Sequence, residues 1–161
     1  MIRRRPHAGP FSDQRGFTLI ELMIVIAIIA IIASIAIPNL IEARKGSNEA
    51  AAIGALRTIV TAESLFRSGD KDRNGVLDYG NLHALGEFNL IDSTLGGGTK
   101  QGYVFVANPA AGSSSQFQWS ATASPVVSGK SGDRQFFVDE SGVIRFATTG
   151  AASSASPPVG G

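Results

Sequence analysis

Residues 22–41 read LMIVIAIIAIIASIAIPNLI, a run of 20 residues without a charged side chain. Ser34 and Asn39 carry its only polar side chains. At about 1.5 Å of rise per residue, a helix of this length spans about 30 Å, the thickness of a bilayer's hydrocarbon core. A helix in a soluble core would be amphipathic, whereas this run is apolar on every side. It therefore predicts a membrane-spanning helix.

Charges on the two sides of this run predict its orientation. Residues 1–16 contain five charged residues, and they are mostly basic: Arg3, Arg4, Arg5, Asp13 and Arg15. The first charges that follow it are mixed: Glu42, Arg44 and Lys45. By the positive-inside rule, residues 1–16 stay in the cytoplasm and the C-terminal body is exported. We therefore expect a single-pass membrane protein whose N-terminus is cytoplasmic.

The composition excludes several classes of protein. The 161 residues suit about one domain, and 14 Lys and Arg against 13 Asp and Glu give a net charge of +1. This balance does not suit a protein that coats nucleic acid, so no nucleic-acid partner is expected. The chain has no cysteine, which excludes disulfides, thiolate metal sites and cysteine nucleophiles. Its two histidines, His7 and His83, are far apart in sequence, and we predict that the protein is not an enzyme.

Glu21 and Gly16 distinguish this segment from a simple anchor. Glu21 lies five residues into the apolar stretch that begins at Phe17, where a deeply placed carboxylate costs about 2.5 kcal/mol or more. The side chain either snorkels to the headgroups or has a cationic partner inside the membrane. Cleavage after Gly16 would supply such a partner, because the new ammonium at Phe17 lies one helical turn from Glu21. The same ammonium could reach Glu21 of a neighbouring chain.

The residues around this glycine resemble a known signal. Arg15-Gly16-Phe17-Thr18-Leu19-Ile20-Glu21-Leu22-Met23 is similar to the class III signal of type IV pilins and type II secretion pseudopilins, and Ala36-Ile37-Pro38-Asn39 fits the same family. The resemblance covers residues 15–39 closely and continues more loosely to about Leu65. It implies that a prepilin peptidase cleaves after Gly16 and methylates the amine of Phe17. It also implies that Glu21 pairs with the Phe17 amine of an adjacent subunit when the helices, each with its Pro38, pack into a filament. The subunits would be stored in the inner membrane and assembled there on a platform.

A second kind of processing is compatible with the same region. Ser34-Ile35-Ala36 is a small-x-small site after an apolar run, as in a secretory signal peptide. Its apolar region would run from Leu22 to about Ala33, which lies within the usual length of about 7–15 residues. The complete motif from Gly16 to Glu21 favours the first interpretation.

The helical pattern continues beyond Pro38. Apolar residues recur every three or four positions: Ile53, Leu56, Ile59, Val60 and Phe66. Gly69 is a natural stop, so a single helix over 17–68 is predicted. The predicted organisation is a cleaved leader (1–16), a membrane and filament-core half of the helix (17–41), its amphipathic half (42–68), a globular head (69–147) and a disordered tail (148–161).

A possible calcium loop follows the helix. The oxygen-bearing residues Asp70, Asp72, Asn74 and Asp78 stand at positions 1, 3, 5 and 9 of an EF-hand spacing. Gly75 is at position 6, and Val76 would offer its carbonyl. The twelfth position is Asn81 in place of the usual glutamate, so any calcium site would be weak. The alternative is a polar turn built around Asn74-Gly75.

The head changes to a period of two after Gly102. Strands are predicted over Tyr103–Val106, Gln116–Ala121, Gln135–Val138 and Val143–Phe146, with Phe105, Phe117, Trp119 and Phe137 in the core. The fold class is therefore α+β, a long helix whose second half packs on an antiparallel sheet of three or four strands, as in pilins.

Three alternative functions are compatible with these features of the sequence. The first is a structural subunit of a type IV pilus-like filament, made of copies of this chain or of other pilins and placed outside the cell or in the periplasm. The second is a pseudopilin of a type II secretion system. The third is a membrane-tethered calcium-binding module that does not polymerise.

Overall fold

The computed structural model describes residues 16–160. Helix α1 spans Leu19–Ser68, and two short helices follow, α2 over Leu82–Glu87 and α3 over Ser93–Gly96. Five strands complete the chain, with a 3-10 turn at Gly112–Gln116 between the second and the third: β1 Thr99–Lys100, β2 Tyr103–Pro109, β3 Trp119–Pro125, β4 Gln135–Asp139 and β5 Arg145–Ala147. The chain divides after Asn39 into two compact units.

Helix α1 ends in a Schellman motif. The amide of Asp70 donates to the carbonyl of Arg67 (3.3 Å), and the amide of Lys71 donates to that of Phe66 (3.3 Å). The left-handed residue of the motif is Asp70, with φ +39°. The sequence places the stop at Gly69, whereas the left-handed turn falls one residue later. Asp tolerates this conformation better than most residues because its short polar side chain bonds locally.

The sheet is an antiparallel meander in the order β1-β2-β3-β4-β5. Burial alternates along β2, where Tyr103, Phe105 and Ala107 are inside. Alternate residues of a strand point to opposite faces, so one face of the sheet is buried. The predicted α+β class is confirmed, and the sheet has five strands where three or four were expected. The additional strand, β1, is only two residues long and carries no periodicity that a sequence could show.

The core of the second unit joins the second half of α1 to the sheet. Its helical side consists of Leu56, Ile59 and Phe66 together with the small residues Ala52, Ala55 and Ala62. Its sheet side has large aromatic residues at Tyr103 and Phe136 and small ones at Ala121 and Ala123. Across neighbouring strands the small Ala123 is paired with Phe105 on one side and with Phe136 on the other, which leaves room for the large rings.

The second predicted strand is displaced along the chain. Residues 112–116 form the 3-10 turn, and the amides of Phe117 and Gln118 both donate to the carbonyl of Ser114. Phe117 is therefore 66% exposed and not part of the core, whereas Trp119 and Phe105 are buried as expected. Phe137 is half-buried, and its neighbour Phe136 is the core residue. The buried positions of β3 continue through Ala121 and Ala123. Because their side chains are small, they indicate a strand only weakly in the sequence.

The C-terminal segment is ordered against β5, which differs from the predicted disorder of residues 148–161. The amide of Phe146 donates to the carbonyl of Pro157 (3.0 Å), and that of Val159 donates to Ile144 (2.8 Å). Ala152 is buried. A segment rich in Ala, Ser and Pro lacks periodicity, but its extended backbone pairs with the open edge of the sheet. Such pairing covers an edge that would otherwise expose unpaired donors and acceptors.

Candidate processing and assembly site

The predicted cleavage site lies on an open stretch of backbone. Residues 16–18 precede α1 and have no regular secondary structure. Phe17 is 92% exposed, and a Cβ atom built on Gly16 would meet no atom within 4 Å. The predicted basic leader at Arg3, Arg4, Arg5 and Arg15 lies outside the described residues. Among the described residues, none covers the Gly16–Phe17 bond, which leaves it accessible to a peptidase.

Glu21 caps the helix that it helps to begin. Its Oε2 accepts hydrogen bonds from the amide of Thr18 (2.8 Å) and from the hydroxyl of Thr18 (2.7 Å). In return the amide of Glu21 donates to Thr18 Oγ1 (3.2 Å). This reciprocal pair is a capping box, with Thr18 as the N-cap and Glu21 at the third helical position. It was not predicted from the sequence, although Thr-x-x-Glu directly before an apolar run is its signature.

The capping box changes how Glu21 is to be interpreted. One carboxylate oxygen already satisfies donors of its own chain, so the residue has a local structural role without any partner chain. The other oxygen accepts no hydrogen bond within residues 16–160. Since a carboxylate has about four acceptor sites, local capping leaves room for a cation from a neighbour. The two roles are compatible, and experiments must separate them.

The first half of α1 exposes a continuous apolar surface. None of its most apolar stretch is buried, and the helix is long and apolar enough to cross a membrane. The helix continues through Pro38 without a break. Proline has no N–H to donate to the carbonyl four residues earlier, at Ser34. The Ser34 hydroxyl itself donates to the carbonyl of Ile31 (2.7 Å). Apolar surface of this extent requires lipid or other helices to cover it.

The second unit holds a buried carboxylate, Glu49, that lies outside the predicted apolar stripe of the helix. Its Oε1 accepts from the amides of Asp133 (2.9 Å) and Arg134 (3.1 Å), and its Oε2 accepts from Arg134 Nε (2.7 Å). Burial alone would raise the pKa of Glu49, but these donors outweigh it and hold the pKa below its usual value. Glu49 therefore fastens the segment before β4 to α1.

A second buried carboxylate, Glu63, has a different environment. It is fully buried, its Oε2 accepts from the amide of Gly80 (3.0 Å), and its Oε1 has no partner within the described residues. Burial raises the pKa of Glu63 to about 7, and the Gly80 amide offsets only part of that effect. The sequence gives only a weak indication that Glu49 and Glu63 are buried. Each lies near alanines that face the core side of α1.

The predicted calcium loop is closed by hydrogen bonds among its own residues. Asp72 Oδ2 accepts from Asn74 Nδ2 (2.7 Å), and Asn74 Oδ1 accepts from the amide of Val76 (2.7 Å). Asp70 Oδ2 accepts from the amide of Gly75 (3.2 Å). These are the contacts of a polar turn, the alternative interpretation of the same sequence.

The remaining positions of the loop do not complete a cation site. Asn81, the twelfth position, caps α2 by accepting from the amide of Ala84 (2.9 Å). The amide of Asp78 donates to the carbonyl of Val76 (3.0 Å). Within residues 16–160, no three His, Asp or Glu side chains are grouped so that they could hold a metal ion. Oδ1 of Asp70 is buried without a partner among these residues, which leaves one unsatisfied acceptor for a cation. Calcium binding stays a prediction.

Comparison with known families identifies the N-terminal region. Residues 11–37 match the family described as the prokaryotic N-terminal methylation motif. This match includes Gly16, Phe17 and Glu21, and it is accompanied by curated relatives that are type IV pilins and a type II secretion protein. The N-terminal part of this chain is therefore similar to that of type IV pilins and of type II secretion protein G.

Three relatives show how far the likeness extends along the chain. It is 54% identical over 59 residues to the type IV major pilin protein PilA of Myxococcus xanthus, which is 37% of this chain and 26% of that protein. It is 47% identical over 55 residues to the type IV wide pilus major component PilA4 of Thermus thermophilus, covering 34% and 42% of the two chains. It is 30% identical over 93 residues to the type II secretion system core protein G of Escherichia coli, covering 58% and 63%.

The matched stretch thus spans less than two thirds of each of these relatives. No solved structure matches the chain at a significant level.

Proposed function

We propose that the chain is a structural subunit of a type IV pilus-like filament. The observation that carries the proposal is the apolar first half of α1, fully uncovered, which begins at a methylation motif. A subunit waiting in a membrane covers this surface with lipid, and an assembled subunit covers it with sister helices. The head, held to the second half of the helix by a core of its own, would then form the outer part of the filament.

Processing is the first step of the proposed assembly. A prepilin peptidase would cleave after Gly16 and methylate the amine of Phe17, on the side of the membrane where the basic leader stays. The exposure of Phe17 and the open backbone at residues 16–18 support this step. The inner-membrane platform that extracts subunits would be the second partner.

The charge of Glu21 is proposed to act between subunits. The free ammonium of a processed Phe17 is as costly in an apolar bundle as the carboxylate. Pairing the two across neighbouring chains removes both costs and fixes the register of the helices. Oε1 of Glu21, which accepts no hydrogen bond within residues 16–160, is the atom available for this contact.

Co-expression of the full chain with a prepilin peptidase tests the processing step. We expect mass spectrometry of the membrane fraction to show a chain that begins at Phe17 and carries one added methyl group. Gly16→Ala should stay uncut, and Gly9→Ala, the same change within the leader, is the matched control that leaves the junction intact. A product that begins at Ile37 would instead support an ordinary secretory signal peptide.

A second function, pseudopilin of a type II secretion system, has a specific observation in its favour. The match to core protein G extends over 93 residues, beyond the N-terminal helix, whereas the two pilin matches cover 59 and 55 residues. Mechanical shearing of cells distinguishes the two. A pilin is released in surface filaments, whereas a pseudopilin stays with the cells, and its deletion blocks the export of a secreted protein.

A further inference from the structure

A groove of about 750 Å³ opens on the second unit, beside the point where the apolar run ends. One wall belongs to α1 and the other to the loop at 126–131, which follows β3. Six of the lining residues matter here: Ile41, Arg44 and Asn48 from the helix, and Val126, Val127 and Lys130 from the loop.

Hydrogen bonds hold the two walls in place. Asn48 Nδ2 donates to the carbonyl of Ser131 (2.9 Å), which ties the loop to the helix. The Ser131 hydroxyl accepts from the amide of Val127 (3.0 Å) and donates to its carbonyl (3.0 Å). The loop is therefore built by its own contacts, and yet it leaves Val126 and Val127 about half exposed. Two neighbouring valines held in this way form an apolar rim.

The groove also presents two cations that have no counter-ion within the described residues. Neither Arg44 nor Lys130 forms an ion pair within residues 16–160. The nearby carboxylates are already engaged, because Lys45 contacts both Glu42 (2.8 Å) and Asp133 (3.3 Å). Glu49 is likewise paired with Arg134. The groove therefore offers two cations, Arg44 and Lys130, to an anion.

Its place along the helix matches the depth of lipid headgroups. Ile41 is the last residue of the uncharged run, and Arg44 and Asn48 follow three and seven residues later. At the rise of an α-helix these residues lie about 4.5 and 10 Å beyond Ile41. The polar layer of one leaflet is about 5–8 Å thick, from the difference between the whole bilayer and its hydrocarbon core. With Ile41 at the edge of the hydrocarbon core, Arg44 would lie at the level of the phosphates.

We propose that this groove binds the headgroup of an anionic phospholipid while the subunit is stored in the membrane. Arg44 and Lys130 contact the lipid phosphate, the Ser131 loop supplies the wall, and Val126 and Val127 lie against the upper part of the acyl chain. The contact would hold the head against the membrane surface and would have to be broken when the subunit leaves. The inference rests on the proposed membrane-inserted state, which alkaline extraction of the membranes checks separately.

The test uses the full chain in vesicles with a fluorescent reporter on the loop. Since the chain has no cysteine, Ser128→Cys supplies one labelling site, at an exposed position. The labelled protein is placed in vesicles of phosphatidylcholine alone or of two parts phosphatidylcholine to one part phosphatidylglycerol, both with a quencher on the headgroups. We expect quenching that depends on phosphatidylglycerol. In the double variant Arg44→Gln and Lys130→Gln, association should weaken by roughly tenfold or more, from about 1 kcal/mol per cation.

A matched variant controls for charge alone. Arg57→Gln with Lys71→Gln removes two exposed cations that do not line this groove, and it should quench like the parent. Equal quenching in both kinds of vesicle, or equal loss in the control, would overturn the proposal. So would loss of quenching on adding inorganic phosphate, because the ligand would then be the free anion. Quenching that follows the protein-to-lipid ratio and not the phosphatidylglycerol content would show a second copy of the chain in the groove.

Discussion

Among the single residues, Glu21 combines a local contact with a proposed contact between chains. Its carboxylate closes a capping box with Thr18 and so satisfies donors at the start of α1. The loss of a capping interaction typically costs about 1 kcal/mol. A defect in Glu21→Ala would therefore not by itself show that the charge matters for assembly.

Glu21→Gln separates the two roles. Glutamine also serves in a capping box, so the helix start is retained while the charge is lost. We expect Glu21→Gln to be inserted and cleaved normally but to enter filaments at least about tenfold less, the equivalent of about 1.4 kcal/mol. The measurement is the ratio of filament to membrane protein. Thr18→Val, which removes the cap and keeps the charge, is the control. If Glu21→Gln assembles normally while Thr18→Val fails to assemble, the role of Glu21 is limited to capping the helix.

Glu63 predicts a pH dependence of stability. The pKa of Glu63 is about 7 in the folded chain and 4.5 in the unfolded chain, so the folded state holds its proton more tightly. The contribution of Glu63 to stability is therefore fully present below pH 4.5, falls as the pH rises toward 7, and is lost above it. The shift corresponds to about 3 kcal/mol. Glu63→Gln should remove most of this slope and raise the thermal midpoint at a pH of about 8.

Glu49 provides the matched control for this measurement. Since the pKa of Glu49 is lowered by its donors, its contribution is present above the unfolded pKa and is lost as the pH falls through the folded value. Glu49→Gln should therefore be most destabilising near neutral pH, opposite in sign to Glu63→Gln. Thermal melts of the full chain in detergent micelles, recorded across pH, compare the two. A slope in Glu63→Gln equal to that of the parent would contradict the assignment.

Among the structural elements, the loop after α1 decides whether calcium matters. If Asp70, Asp72, Asn74 and Asp78 rearrange around a calcium ion, the ion stabilises the folded state by mass action. With Asn81 occupied as a helix cap, we expect a rise in thermal midpoint only near the millimolar range, about 10⁻⁴–10⁻³ M. Melts with calcium and with chelator measure it.

The variants for this test must respect the backbone. Asp70 is the left-handed residue of the Schellman motif, so alanine there would add strain that has nothing to do with calcium. Asp70→Asn with Asp72→Asn removes the charges and tolerates the turn. Glu87→Ala with Glu140→Ala, two exposed carboxylates elsewhere, is the control. If the parent and the Asn variant have the same thermal midpoint with calcium and with chelator, the loop is a polar turn and does not bind calcium.

The elements also show where prediction from sequence succeeds. Long periodic segments were predictable: α1 ends at Ser68 as expected, and β2 and β4 begin at Tyr103 and Gln135 as expected. Phe117 was misplaced because a turn closed by hydrogen bonds to the Ser114 carbonyl outweighs local alternation. The tail pairs with β5 through backbone groups, which leave no pattern in side chains.

Some residues of the candidate site could likewise be predicted from the sequence and others could not. Gly16, Phe17 and Glu21 were found because processing needs particular residue types at fixed offsets. Glu49 and Glu63 were missed because charged residues are rarely buried, and only the fold shows the donors that meet them. The groove between α1 and the 126–131 loop joins residues more than 80 positions apart, a distance in sequence that no local pattern bridges.

The molecule as a whole joins two units with different requirements. The first is an apolar helical segment with no buried core within the described residues. The second has a buried core made of α1, the short helices and the five-stranded sheet. A protein built in this way is stable in a membrane or in a bundle of like helices, and a filament supplies the second environment. The similarity to type IV pilins and to a type II secretion protein agrees with this division.

The intact mass of the chain in a purified filament fraction tests the filament role most directly. Cells that express the full chain with its secretion or pilus machinery are fractionated, and filaments are isolated from both the surface and the envelope. We expect a filament subunit that begins at Phe17, carries one additional methyl group and retains the rest of the chain. A chain that is cleaved and inserted but absent from both filament fractions, or one that begins at Ile37, would contradict this role.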